Sequence, residues 1–268
     1  MRVEPIVSSS NPRFRRLEKL LTAKGRREQD AFLLEGRKAI ADGLQAGCIE
    51  LLVVCEGQAA RVHSLGPTGE HLPRILLSPT LFRRLSQVET NQGLLAVAKR
   101  PSAQDPTALL QNAQTVLILD GVQDPGNVGT LVRSACAAGV DLLITLPGTA
   151  DPFSPKAVRA SAASVLTLPI VEWEPERLIA ALREAHLPLW VADPHEGTTY
   201  TAVSWPPRLA LAIGSEGKGL SANLRQSAQV HLAIPLQRGV ESLNAAISGS
   251  ILLFERGHYL EKVEPSSR

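Results

Sequence analysis

Residues 116–135 of the chain read VLILDGVQDPGNVGTLVRSA. This stretch opens with an apolar run of the kind found in strands that are buried on both faces of a sheet. Pro125 and Gly126 then favour a sharp turn, and Asn127 suits the N-cap of a helix. The stretch therefore predicts a strand, a turn and a helix that carries Arg133 in its second turn.

This turn matches neither of the common nucleotide-binding motifs. A P-loop requires lysine and then serine or threonine after its second glycine, whereas Asn127-Val128 follows Gly126 here. A dinucleotide-binding fingerprint requires a leading glycine that is absent before this turn. What remains is the amide of Asn127 and the guanidinium of Arg133 on one rigid element, which suit a phosphate or a forming oxyanion. A helix cap and an ordinary surface arginine would give the same pattern.

Outward from this stretch, apolar runs and helical patterns alternate over residues 113–268. Strands are predicted at 115–120, 141–146, 165–170, 188–193, 208–213 and 230–234, helices at 128–138, 155–163, 175–185 and 220–227, and a final helix from about Ser242 to about Leu260. This alternation is typical of an α/β domain whose mostly parallel sheet is covered by helices on both faces.

Residues 1–100 predict a separate, small α/β domain. Strands are predicted at 32–36, 49–56, 74–78 and 93–99, with helices at 37–47 and 79–86. Prolines and polar residues without apolar periodicity follow, so residues 101–112 are predicted to be a linker and the entry to the second domain.

The segment NPRFRRLEKLLTAKGRR, residues 11–27, predicts one amphipathic helix with a basic outer face. It carries seven cations and one acid, although the net charge of the whole chain is only +2. Such a local patch favours contacts with nucleic-acid phosphates, and a solvated surface helix is the alternative. The candidate phosphate contacts are Arg13, Arg15, Arg16, Lys19, Arg26 and Arg27.

Composition excludes several classes of protein. No apolar stretch approaches the roughly 20 residues that span a bilayer, and the N-terminus lacks the apolar core of a signal peptide. We therefore expect a cytoplasmic protein without a membrane partner. Three widely spaced cysteines and six scattered histidines predict neither a disulfide framework nor a metal site.

Two further strand ends carry small and polar residues. ALAIGSEGKGLS, residues 210–221, opens into a glycine-rich loop that contains Glu216, and LAIPLQRGVESLN, residues 232–244, ends with Ser242 and Asn244. Ligands of open parallel sheets bind beyond the carboxyl ends of the strands. Together with the turn at Asn127, these ends predict one composite site.

In order and spacing, the three stretches resemble the signature motifs of the SpoU-type RNA 2′-O-ribose methyltransferases of the SPOUT superfamily. The matching residues are Asn127-Val128-Gly129 with Arg133-Ser134-Ala135, then Ile213-Gly214-Ser215-Glu216-Gly217 with Gly219, then Ile234-Pro235-Leu236 with Glu241-Ser242-Leu243-Asn244. The likeness covers residues 115–260. FLLEGRKAI (32–40) and TNQGLLAVAK (90–99) resemble the substrate-binding domain that often precedes this catalytic domain, which is similar to small RNA-binding ribosomal proteins with an α/β/α sandwich.

The resemblance implies S-adenosylmethionine as cofactor, a C-terminal trefoil knot, a homodimer with its active site at the interface, and an RNA substrate, with large-subunit ribosomal RNA favoured over transfer RNA. It places cofactor contacts at Gly214, Ile234, Leu236 and Leu243. It places catalytic roles at Asn127, Arg133, Glu216, Ser242 and Asn244.

The role of Arg133 stays open at this point. The matching arginine is often assigned as the base in the family, yet arginine keeps its proton in proteins and suits alkoxide or phosphate stabilisation equally well. Glu216 is the only acid of the set, and Arg238 is an additional phosphate-contact candidate. A non-catalytic RNA-binding or ribosome-assembly factor and a methyltransferase acting on a base nitrogen are the competing functions.

Overall fold

The computed structural model describes residues 4–88, 90–101, 105–194 and 196–263. Its helices are α1 Pro12–Lys19, α2 Ala23–Gln29, α3 Arg37–Gln45, α4 Gly66–His71, α5 Pro79–Leu85, α6 Pro106–Asn112, α7 Pro125–Ala137, α8 Pro155–Ala160, α9 Pro175–Glu184, α10 Ala222–Ser227 and α11 Ala245–Val263. Its strands are β1 Ala31–Glu35, β2 Ile49–Cys55, β3 Arg74–Leu77, β4 Leu94–Lys99, β5 Thr115–Asp120, β6 Leu142–Thr145, β7 Ile170–Glu172, β8 Leu189–Ala192, β9 Thr198–Thr199, β10 Leu209–Gly214 and β11 Val230–Ala233. Short 3₁₀ helices occupy Ala59–Leu65 and Ser164–Leu166.

The chain divides into two compact units. The first contains the residues up to 101 together with 151–167, and the second contains 105–150 together with the residues from 168 onward. The division predicted from the sequence differs in the segment 151–167, which was placed in the second domain. This segment packs with the first unit, where the rings of Phe153 and Phe32 lie 5.1 Å apart.

The first unit is built on a four-stranded sheet in the order β1-β4-β2-β3. Strand β4 pairs antiparallel with β1 and β2, and β3 pairs parallel with β2. Apolar side chains of α1 and α5 pack on one face of this sheet, Phe14 and Phe82 among them. Helix α3 covers Leu34, because a Cβ added at Gly43 would lie 2.8 Å from its methyl group.

The basic N-terminal segment forms two helices, so the predicted single helix over residues 11–27 is wrong. Asn11 caps α1, and the hydroxyl of Thr22 accepts from the Gly25 amide to cap α2. The chain folds back so closely that a Cβ on Gly25 would lie 2.0 Å from the Lys19 carbonyl oxygen. A capping threonine followed by a glycine thus ends an apolar periodicity that looks continuous in the sequence.

Arg26 is buried in the first unit, so it is not a phosphate contact, contrary to the prediction. Its side chain is 4% exposed, its Nε and Nη2 lie 2.7 Å from Asp151 Oδ2, and its Nη1 donates to the Leu20 carbonyl oxygen. A guanidinium engaged inside the unit in this way is not available to a nucleic acid. The other five candidates, Arg13, Arg15, Arg16, Lys19 and Arg27, are exposed.

The second unit confirms the predicted α/β class with a mostly parallel sheet. Its strands follow the order β7-β6-β5-β10-β8-β11-β9, and every neighbouring pair among the described residues is parallel. Central strands are fully buried, as their continuous apolar runs predict. Helices α7 and α11 pack tightly, since a Cβ on Gly249 would lie 2.4 Å from the side chain of Leu131.

Several predicted element boundaries are wrong. The apolar run 165–170 forms a 3₁₀ turn followed by β7, because Pro169 interrupts the run and offers no backbone donor. Helix α6 lies inside the predicted linker, β9 was missed, and the last helix begins at Ala245. No helix in the described part of the chain is long and apolar enough to cross a membrane.

The buried Arg26–Asp151 pair predicts a large stability effect in the first unit. Asp151→Ala leaves a buried guanidinium without its partner, which costs on the order of 3 kcal/mol or more. Thermal denaturation should show a clearly lower Tm for this variant. Glu28→Gln is the matched control, because the Lys24–Glu28 pair is exposed and contributes at most about 0.5 kcal/mol. Equal Tm values for the two variants would contradict the stabilising role of the buried pair.

Candidate functional site

A cavity of about 380 Å³ lies in the second unit beyond the carboxyl ends of β8, β10 and β11. This volume falls in the range of small-molecule sites, roughly 300–1,000 Å³. All four predicted cofactor residues line it, as do two of the predicted catalytic residues: Gly214, Ile234, Leu236, Leu243, Glu216 and Ser242. The three apolar side chains are half-buried, so they offer an apolar surface to a ligand.

The wall formed by residues 214–220 depends on close backbone packing. Ser215 and Gly219 exchange two backbone hydrogen bonds of 3.0 and 2.9 Å, and Gly219 has a φ of +66° that favours glycine. A Cβ on Gly214 would lie 2.4 Å from the Gly219 carbonyl carbon and 2.6 Å from the Leu220 nitrogen. Only glycine therefore fits at position 214 without moving this wall.

Asp120 supports the same loop from the neighbouring strand, a role that the sequence analysis missed. It pairs in register with Gly214, it is 7% exposed, and its Oδ2 accepts from the Ser221 amide at 2.6 Å. The sequence alone could have indicated this role, because Asp120 directly ends a buried apolar strand and a buried acid requires hydrogen-bond partners.

Three predicted catalytic residues form one hydrogen-bonded group, here called the amide bridge: Asn127, Glu216 and Asn244. The side-chain amide of Asn127 donates to Glu216 Oε1, and Asn244 Nδ2 donates to Asn127 Oδ1 at 3.0 Å. Asn244 Oδ1 in turn accepts from the Ala246 and Ile247 amides, at 2.9 and 3.2 Å. The amide bridge thus links the starts of α7 and α11 to the cavity wall.

Asn127 is free for this role because it is not the N-cap of α7, contrary to the prediction. Helix α7 begins at Pro125, and Asp124 caps it by accepting from the amides of Gly126 and Asn127 at 2.6 and 3.1 Å. The Asn127 side chain therefore leaves the helix end and reaches Glu216.

The structure does not bring Arg133 into the amide bridge. This residue lies exposed on α7, and within the described ranges its guanidinium has no hydrogen-bond or ion-pair partner. Arg238 is also exposed and has a φ of +58°. Arginines in such positions are accessible to a phosphate or to another chain.

A further polar group in the cavity wall was not singled out in the sequence. Asp193 follows β8 and is 5% exposed, and its Oδ2 lies 2.8 Å from Arg225 Nη2 and 3.1 Å from His231 Nδ1. Arg225 also pairs with Glu196 at 2.8 Å. The signal was again an acid at the carboxyl end of a predicted strand. This group holds one wall of the cavity against α10.

Comparison with known proteins identifies both parts of the chain. Residues 114–254 match the SpoU rRNA Methylase family, and residues 11–96 match the MRM3-like substrate binding domain. The 23S rRNA (guanosine(2553)-2′-O)-methyltransferase RlmP of Bacillus subtilis is 32% identical to the chain, over 94% of this chain and 98% of that protein.

Two solved structures share the fold. The AdoMet-bound rRNA methyltransferase from Sinorhizobium meliloti has a TM-score of 0.82 at 28% identity, over 96% of this chain and 98% of that one. The SpoU methyltransferase AviRb from Streptomyces viridochromogenes, in complex with the cofactor AdoMet, has a TM-score of 0.82 at 26% identity, over 96% of this chain and all of that one. These matches confirm the family that the three motifs predicted.

One glycine in the cavity wall and one outside it give a matched pair of substitutions. Gly214→Ala should abolish binding of S-adenosylmethionine, because the new methyl group would displace backbone atoms that line the cavity. Gly257→Ala on α11 should bind normally, since Gly257 does not line the cavity, a Cβ there meets nothing within 4 Å and its φ is not positive. Isothermal titration calorimetry measures both affinities, and equal binding by the two variants would show that the ligand does not use this wall.

Proposed function

The chain belongs to the SpoU rRNA methylase family, and we propose that it transfers a methyl group from S-adenosylmethionine to a ribose 2′-hydroxyl of large-subunit ribosomal RNA. The observation that carries the proposal is the amide bridge, which joins Asn127 and Asn244 to an acid in the cavity wall. The name of the RlmP relative supports ribosomal RNA of the large subunit over transfer RNA.

The cavity residues fit the proposed cofactor. When bound, S-adenosylmethionine supplies an electrophilic methyl group on a sulfonium. Ile234, Leu236 and Leu243 offer the half-buried apolar surface that an adenine ring requires. Gly214 allows the 214–220 backbone to form the opposite wall. The AdoMet-bound SpoU relatives support this assignment.

We assign positioning of the ribose hydroxyl to Glu216 and the amide bridge. Methyl transfer requires the hydroxyl oxygen to be oriented and its proton to pass to an acceptor, and the Glu216 carboxylate in the cavity wall is the acceptor that we assign. Glu216 lines the cavity and has one oxygen held by Asn127, so its carboxylate has a fixed direction and further acceptor capacity. Ser242 lines the same cavity and contributes a hydroxyl.

We assign charge stabilisation to Arg133. Arginine carries a permanent positive charge in proteins, and Arg133 is exposed on α7. Its planar fork suits the forming alkoxide or an adjacent phosphate. This role is preferred over that of a base on chemical grounds.

We further propose that the active protein is a homodimer. Ile247 and Phe254 are 52% and 51% exposed, and they lie seven residues apart on one stripe of α11. Large apolar side chains on one helix face favour a protein partner, and a two-fold axis pairs such a face with itself. In a dimer, Arg133 of one chain is available to the cavity of the other.

Three assignments rest on the family alone. We propose that the segment around α11 forms a trefoil knot, that the protein acts in the cytoplasm, and that the first unit binds the RNA substrate. The match of residues 11–96 to a substrate-binding domain supports the last assignment. The exposed cations Arg13, Arg15, Arg16, Lys19 and Arg27 are its proposed phosphate contacts.

The amide bridge predicts a catalytic effect without a binding effect. Asn127→Ala removes the hydrogen bonds to Glu216 and to Asn244, so we expect kcat to fall about 100-fold or more. The KM for S-adenosylmethionine should not change, because Asn127 does not line the cavity. Thr130→Ala, on an exposed position of the same helix, is the control. A normal kcat for Asn127→Ala would remove the bridge from the mechanism.

The dimer predicts a mass of twice 28.7 kDa in sedimentation equilibrium. A Phe254→Glu substitution should shift the protein to monomers, because a buried unpaired charge opposes association. Val7→Glu is the matched control, since Val7 is 70% exposed and lies on the first unit.

Mixed Arg133→Ala and Glu216→Ala chains should recover part of the activity. A monomeric parent protein, or no recovery in exchanged heterodimers, contradicts the shared site.

The substrate class is tested in cells. Ribosomal RNA from a strain that lacks the gene should miss a 2′-O-methyl group that the parent strain carries in its large-subunit RNA. Mapping of all 2′-O-methyl sites in both strains makes the comparison. A missing methyl group in transfer RNA would favour the alternative substrate, and identical maps would favour a non-catalytic role.

A further inference from the structure

A second cavity lies in the first unit, between α1 and the sheet, and is here called the arginine groove. Its volume is about 390 Å³. Its floor is apolar and comes from three adjacent strands, with Leu51 on β2, Ile75 on β3 and Val97 on β4. Its rim carries Arg13, Arg16, Arg74, Gln29 and Glu50.

The charges of the groove favour an anionic occupant. Arg13, Arg16 and Arg74 are exposed, and in the described part of the chain none of them forms an ion pair. Among the described residues, Glu50 is the only acid that lines the groove. Three cations against one carboxylate leave a local excess of positive charge, in a chain whose net charge is +2.

Two of the arginines are held in place by neighbours that leave donors free. Arg16 Nε donates to Gln29 Oε1 at 3.1 Å, and Gln29 Nε2 donates back to the Arg16 carbonyl oxygen at 3.0 Å. Arg74 Nη2 donates to the Glu70 carbonyl oxygen at 2.6 Å. Because a guanidinium has five N–H donors, each side chain keeps several for a ligand. The rim is therefore partly preorganised.

We propose that the arginine groove takes one unpaired nucleotide of the RNA substrate, with its base on the apolar floor and its flanking phosphates on Arg13, Arg16 and Arg74. An apolar floor beneath a cationic rim complements a base that carries phosphates on both sides. Unpaired bases can be splayed out of a loop and stacked on guanidinium planes, and extruded bases also pack against apolar side chains, whereas a duplex keeps its bases stacked. The proposal rests on the RNA-directed function proposed above.

The test uses the full chain and two acids near opposite ends of β2. Glu50→Gln removes the only carboxylate of the groove, and Glu56→Gln removes an exposed carboxylate beyond the other end of β2. Affinity for a short, labelled, single-stranded oligoribonucleotide of mixed sequence is measured by fluorescence anisotropy. Glu50→Gln should bind about threefold tighter, because a nearby like charge is removed. Glu56→Gln should bind like the parent. A misfolded variant would lose affinity for RNA, so misfolding does not explain tighter binding by Glu50→Gln.

A second measurement locates the base. The same oligonucleotide with one 4-thiouridine, crosslinked by light, should attach to the segments around Leu51 and Arg74. The crosslink to these segments should be weaker when the oligonucleotide is annealed to a complementary strand. Equal affinities of parent and Glu50→Gln, an equal gain in Glu56→Gln, crosslinks only elsewhere, or equally tight binding of a polyglutamate peptide would each overturn the proposal.

The outcome is separable from that of the proposed function. Binding of S-adenosylmethionine and methyl transfer are measured on the same proteins. If the parent methylates RNA while Glu50→Gln binds RNA no tighter than the parent, the groove proposal alone fails. If the parent neither binds the cofactor nor methylates RNA, the proposed function fails whatever the groove binds.

Discussion

The hydrogen bonds from Asn127 to Glu216 and from Asn244 to Asn127 are the interaction on which the candidate site depends. They join three segments that lie far apart in the sequence, each following a strand of one parallel sheet. A parallel sheet brings the carboxyl ends of its strands to one edge, and there these polar side chains satisfy one another. The amide bridge fixes the direction of the only carboxylate in the proposed catalytic set.

The cavity beside the bridge is shaped by backbone rather than by side chains. Gly214 lies so close to the Gly219 backbone that no side chain fits, and Asp120 holds the amide of Ser221 from the neighbouring strand. The apolar residues Ile234, Leu236 and Leu243 complete the lining. A ligand that enters this cavity meets walls whose position is set by the sheet itself, which limits the reorganisation that binding requires.

Parallel strands were predictable because burial on both faces makes them continuous apolar runs, as at 115–120 and 208–213. The strand predicted at 165–170 is wrong, because Pro169 interrupts this apolar run. Arg26 was not predictable as a buried residue, since its partner Asp151 lies 125 positions away and nothing local distinguishes it from its basic neighbours.

Order and spacing of the motifs predicted which residues gather at the site, because motif residues follow strand ends. The roles inside the site were less predictable. Asn127 was expected to cap its helix, but Asp124 does so, and Arg133 was expected beside it but lies exposed. Asp193 and its partners Arg225 and His231 escaped notice because hydrogen-bond partners across a fold have no fixed sequence spacing.

We propose that the amide bridge and its cavity serve methyl transfer to a ribose oxygen. The most direct test incubates the purified protein with methyl-labelled S-adenosylmethionine and large-subunit ribosomal RNA, then digests the RNA to nucleosides. We expect label in a single 2′-O-methylnucleoside, and little or none with the Asn127→Ala protein. Label on a base nitrogen, or no label under conditions in which the cofactor binds, would contradict it.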